Sequence, residues 1–165
     1  MDSDQVIPFN FSPKKLYLLR HSDAEDPTLN QPDFSRKLSN LGKKKVRDFS
    51  SKYSSELEVE LVLCSTAIRT RETLSLLDLR QSEIQFFDSL YLAEKETILS
   101  EIQKIPDTLN KLLIVGHNNG LSDFLTYFTG ENIILSTCQM IEIQVETEKW
   151  EFVGQETGSL LRNFF

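Results

Sequence analysis

The chain carries two histidines, and each follows a short apolar run. Leu16-Tyr17-Leu18-Leu19 leads into Arg20-His21, and Leu112-Leu113-Ile114-Val115 leads into Gly116-His117. A third run, Leu61-Val62-Leu63-Cys64, leads into Ser65, with Arg69 one helical turn further on. Residues of these types suit phosphoryl transfer. A phosphoryl group in flight spreads its charge over three equatorial oxygens, so catalysis there rests on positioning and fixed positive charge. Arg20 and Arg69 offer planar forks of permanent charge for those oxygens, and a protonated His117 offers a third donor. His21 is the nucleophile candidate: a neutral imidazole nitrogen attacks phosphorus, and the resulting phosphohistidine reacts with water, so one hard step becomes two easier ones. The surrounding cations favour neutral His21, whereas a bound phosphate favours charged His117.

Elements that would position these groups are legible in the pattern. The apolar runs read as buried parallel strands, and ligands in open α/β sheets bind at strand carboxyl ends. Residues 1–13 show neither helical nor strand periodicity and read as a tail, with Phe9 and Phe11 able to pack; residues 14–165 form a single domain. The polar stretch 23–36, with Pro27 and Pro32, predicts a loop arching over the first strand end. Ser39 caps a helix with Val46, Phe49 and Tyr53 on its inner face. Ser65 reads as the N-cap of a helix reaching about Leu79, with Ile68, Leu74 and Leu77 facing the sheet. Residues 84–87 form a short strand, 94–105 a helix closed by Pro106, and the helix holding Leu121, Phe124, Leu125 and Phe128 stops at Gly130. The alternation Ile141, Ile143, Val145 marks another strand, with 150–153 as its hairpin partner. Strands alternating with helices predict a three-layer αβα sandwich with a mostly parallel sheet and an antiparallel strand near one edge.

Arg20-His21 after a strand, Ser65-x-x-x-Arg69-x-x-x-Thr73 and Gly116-His117-Asn118 resemble the histidine phosphatase (phosphoglycerate mutase-like) superfamily, and the short chain resembles its SixA-type phosphohistidine phosphatase branch. Leu38-Ser39-x-x-Gly42, Leu90-Tyr91-x-Ala93 and Gly158-Ser159-Leu160 extend the likeness over most of the chain. The resemblance implies that His21 is phosphorylated, that His117 is its partner, and that Arg20 and Arg69 bind the phosphate. Ser22 stands where the superfamily commonly has glycine; its hydroxyl can reach a phosphate oxygen or merely form the turn. Asn118 can bind the ligand or cap the following helix. Larger members carry a glutamate past mid-chain as general acid. No carboxylate lies in Leu90-Tyr91-Leu92-Ala93, so Asp23 and Glu25 are the nearest candidates, with solvated loop charges as their other reading.

The formal net charge of −7 argues against a nucleic-acid footprint, which needs clustered Lys and Arg. The basic cluster Lys43-Lys44-Lys45 with Arg47 reads as a solvated helix face. Asp2, Asp4 and Pro8 stand where a signal peptide needs a basic start and an apolar core, and no run approaches membrane-spanning length, which predicts a cytoplasmic protein without membrane partners. Cys64 and Cys138 read as reduced core residues, and no metal or other cofactor is called for. The expected partner is a phosphorylated protein, carrying phosphohistidine, or a small phosphorylated substrate. Three other readings compete. The Cys64-x4-Arg69 spacing is reminiscent of cysteine-dependent phosphatases, but its loop is short and glycine-free. A small-molecule phosphatase or mutase would share the pocket. A phosphate-recognising module without turnover would share its arginines.

Overall fold

A computed structural model describes residues 13–80 and 82–165. The predicted tail therefore lies, apart from Pro13, outside the described residues. The sheet holds six strands in the order β3-β2-β4-β1-β5-β6: β1 Lys15–Arg20, β2 Leu61–Ser65, β3 Glu83–Phe87, β4 Lys111–Gly116, β5 Met140–Val145 and β6 Gly158–Phe164. β1 to β4 are mutually parallel, while β5 runs antiparallel to β1 and β6 antiparallel to β5. Because β4 lies between β1 and β2, the three apolar runs sit side by side, with Arg20 in register with Gly116 and Cys64 with Val115.

Strands buried on both faces need apolar residues at every position, and these have them. One face sends Leu16, Leu18, Leu63 and Ile114 against helices α3 Lys95–Gln103 and α4 Gly120–Thr129, through Ile98, Ile102, Phe124 and Phe128. The other sends Tyr17, Leu19, Val62 and Val115 against helices α1 Asn40–Tyr53 and α2 Ile68–Ser75, through Val46, Phe49 and Leu74. The result is the expected three-layer αβα sandwich. Ser39 Oγ accepts from the Gly42 N–H and so caps α1, and α4 stops at Gly130, whose φ of 74° is left-handed backbone open to glycine at little cost.

Two expectations fail for physical reasons. Residues 150–153 are not the hairpin partner of β5. Trp150–Phe152 is a 3-10 turn in which Trp150 is fully buried, its backbone N–H donating to Asp107 Oδ1 and its indole N–H to the Leu109 carbonyl. The partner is Gly158–Phe164, a largely exposed edge strand whose Ser-Leu-Leu-Arg-Asn run lacks the alternation of a half-buried one. Ser65, in turn, does not cap α2. It ends β2, Ala67 holds the N-cap position, and the helix closes near Leu76 rather than Leu79.

Candidate active site

The adjacent carboxyl ends of β1, β2 and β4 open into a solvent-facing pocket of about 380 Å³ lined by Arg20, His21, Asp33, Arg36, Arg69 and His117 among others. The His21 and His117 ring centroids are 5.2 Å apart. The predicted pair of arginines and pair of histidines therefore come together around one space. α2 is held in place by Thr73, one turn beyond Arg69, whose hydroxyl accepts from the Ser22 N–H at 3.1 Å and donates to the Arg69 carbonyl at 2.7 Å.

His21 Nδ1–H donates to the Ser22 carbonyl at 2.7 Å, which leaves the lone pair on Nε2, where the Arg69 Nε–H points at 3.3 Å. Burial first, then the positive charges of Arg69, Arg20 and Arg36, lower the His21 pKa to about 4, outweighing the bond to Ser22. His117 is held at Nε2 by the Ser65 hydroxyl at 2.9 Å, and its Nδ1 has no hydrogen-bond partner among the described residues. Burial, with His21 and Arg69 close by, lowers its pKa to about 3. Near neutral pH both imidazoles are thus neutral, His117 included, where the sequence suggested a cationic donor.

With two histidines in the chain, NMR should resolve both titrations, and both midpoints should fall well below the ordinary imidazole value, near about 4 for His21 and about 3 for His117. The unfolded chain binds protons below about 6.5 where the folded chain does not, so this contribution to stability is complete above that pH. It is lost as the pH falls from there toward the folded values. A midpoint near 6.5 for either ring would contradict the geometry.

The other candidates fare differently. Ser22 is turned away from the pocket: it is fully buried, and its hydroxyl donates to the Gly42 carbonyl at 2.9 Å, which leaves it the turn-forming role. Asn118 has its amide donating to the Leu135 carbonyl and its oxygen accepting from Ser122, so both ends hold the loop over the strand ends. Asp23 lines the pocket but is paired with Lys45 at 2.8 Å; burial would raise its pKa, yet the nearby Lys45 ammonium and Thr137 prevail and hold it below the ordinary carboxylate value, unsuited to a proton donor. Lys45, from the basic face of α1, thus pairs with a residue of the site wall. Glu25 is exposed, and it contributes its backbone carbonyl to Arg36. The cysteine alternative loses its nucleophile, since Cys64 is fully buried, its thiol donates to the Ser65 carbonyl, and burial pushes its pKa up to about 12.

Sequence reading missed Asp33, Arg36 and Tyr91. Asp33 Oδ2 accepts from Arg69 Nη2 at 2.9 Å and from the Tyr91 hydroxyl at 2.7 Å, Oδ1 accepts from Arg36 Nη1 at 2.9 Å, and the Asp33 carbonyl accepts from Arg69 Nη1 at 2.7 Å. Burial would raise the Asp33 carboxyl, but Arg36, Tyr91 and Arg69 hold it down at about 2. The one sequence signal was a charged pair, Asp33 and Arg36, inside a loop already assigned to the strand end. Among the described residues no group of three or more metal-type side chains comes together, and no helix is long and apolar enough to cross a membrane.

No protein-family model matches the chain. Among curated proteins it is 30% identical over 112 residues to the uncharacterized protein ML1117 of Mycobacterium leprae, covering 62% of this chain and 69% of that one. It is also 29% identical over 152 residues to the uncharacterized chloroplastic protein At3g52155 of Arabidopsis thaliana, covering 84% and 69%. Solved structures that superpose on it include a candidate phosphohistidine phosphatase SixA from Nakamurella multipartitia, with a TM-score of 0.82 and 21% identity over 92% of this chain and 95% of that one. Protein histidine phosphatase SixA in complex with tungstate superposes with a TM-score of 0.73 and 17% identity over 91% and 96%. The α-ribazole phosphatase of Shigella flexneri does so with a TM-score of 0.67 and 15% identity over 92% and 96%. The fold is therefore the phosphoglycerate mutase-like fold of the histidine phosphatases. Within it, the chain belongs to one family with ML1117 of Mycobacterium leprae.

Proposed function

We propose that the protein is a phosphohistidine phosphatase working through a covalent phosphoenzyme on His21. The observation that carries this reading is the tautomer of His21: Nδ1–H is tied to the Ser22 carbonyl, so the lone pair sits on Nε2, beside Arg69 and inside the pocket. In the first step Nε2 attacks phosphorus and the bond to the leaving group breaks. In the second, water attacks the phosphohistidine, its P–N bond breaks, His21 recovers its lone pair, and inorganic phosphate leaves with the proton from water. Arg20 and Arg69 hold the equatorial oxygens, and the neighbouring phosphate dianion draws a proton onto His117.

Substrate class follows from the missing acid and the open pocket. An imidazole leaving group can carry its own proton on the phosphoramidate and depart as a neutral ring, whereas an alkoxide needs a donor. A solvent-facing pocket also admits a phosphorylated side chain standing out from a protein surface. The bound tungstate of the SixA structure, an oxyanion on the same fold, supports an anion site here. The test compares kcat/KM for a phosphohistidine protein, an aryl phosphate, phosphoserine and a sugar phosphate at one pH. Phosphohistidine should lead, aryl phosphate should be detectable, and the alkyl esters should be poor. A clear preference for an alkyl phosphate metabolite would favour the small-molecule reading, and anion binding without any hydrolysis would favour a binding module.

A further inference from the structure

Each of the three Arg69 guanidinium nitrogens makes a hydrogen bond within the chain. Its Nε bonds His21, and Nη1 and Nη2 bond the Asp33 carbonyl and carboxylate. One carboxylate oxygen and the backbone carbonyl of Asp33 sit on the two arms of the Arg69 fork, and the carboxylate also accepts from Arg36 and the Tyr91 hydroxyl, so this residue presents there a negative charge and the two acceptors that phosphate oxygens would. The arrangement also has a stability role. Arg69 is 3% exposed, and a buried guanidinium without a counter-charge is costly. The Asp33 side chain, by contrast, is 43% exposed and stands at the start of the single 3-10 turn Asp33–Ser35, so it has solvent to turn into.

We propose that Asp33 is an internal competitor for the phosphoryl subsite, filling the Arg69 fork in the free enzyme and withdrawing when a phosphoryl group binds. The proposal rests on the reading of this pocket as a phosphoryl site and adds what sets its affinity. A tethered carboxylate competes at high effective concentration. It therefore weakens every anion that must displace it, the product inorganic phosphate included. A phosphorylated protein has the rest of its surface with which to compensate, but free phosphate has none. Asp33 thereby helps expel product and keeps the fork from filling with inorganic phosphate between turnovers.

Inorganic phosphate is the probe, with its Kd measured by calorimetry and its inhibition constant measured against an aryl phosphate. Asp33→Asn should bind phosphate about tenfold or more tightly, the size expected when one charge-assisted bond no longer has to be broken. Its inhibition constant and its KM should fall in step, and kcat should fall as phosphate release slows. Asp33→Glu, which keeps the charge, should return phosphate affinity toward the parent value. A residue that merely braced Arg69 would have the opposite signature, weaker phosphate binding in Asp33→Asn. Equal or weaker binding overturns the role of Asp33 and leaves the pocket intact; absence of phosphate binding in both proteins overturns the pocket reading and this proposal together. Should Asp33→Asn fail to fold, Tyr91→Phe decides, since it keeps the ion pair and removes only the hydroxyl. Tighter phosphate binding there supports the proposal, and unchanged or weaker binding overturns it.

Discussion

His21→Ala should abolish turnover, a loss of about 10⁴-fold or more, if His21 is the nucleophile proposed above, because no described residue of the pocket is placed to replace it. Cys64 is buried with its thiol pushed up to about 12. The parent protein, quenched during turnover, should carry a phosphoryl group that is labile in acid and stable in alkali, as a phosphoramidate is and a phosphoserine is not. It should form with a metal chelator present, because Arg20, Arg36 and Arg69 already supply the positive charge at the pocket. Full activity in His21→Ala, or a phosphoenzyme stable in acid, would remove the mechanism. The variant should fold well, since losing an imidazole with a depressed pKa removes a group that opposes folding in acid.

Arg69→Ala should cost about 10²-fold to 10³-fold in kcat/KM, the usual loss when one preorganised donor to a developing anion is deleted. Arg69→Lys should recover little of it. A lysine has no fork to span two oxygens, nor the Nε–H that meets His21 at 3.3 Å. Cys64→Ser, five residues upstream, should leave kcat/KM within a few-fold and act on stability instead, as it places a hydroxyl in the apolar layer packed by Tyr17, Val62 and Leu74. The contrast between the two variants separates a role for Arg69 in α2 from one for Cys64 in β2. A folded but inactive Cys64→Ser protein would revive the cysteine-dependent alternative.

The sequence by itself determined whatever depends on local pattern. Strands buried on both faces must be apolar throughout, so 16–19, 61–64 and 112–115 announced themselves, and the residues following them were marked as the site. Ser39 and Gly130 marked helix ends because capping and left-handed backbone are properties of single residues. Tertiary structure alone decided which loop folds over the strand ends and what it brings. Asp33 meets Arg69 across 36 residues and Tyr91 across 58, separations over which no periodicity carries information. The same holds for Ser65, which looks like a helix cap locally and is a histidine holder because β4 lies next to β2. Ser22 and Asn118 sit beside the chemistry in sequence, yet the backbone turns their side chains to Gly42, Leu135 and Ser122. The candidate residues at the strand ends could be read from the order of the chain, but the charges that surround them are contacts between distant segments, and those exist only once the sheet has assembled.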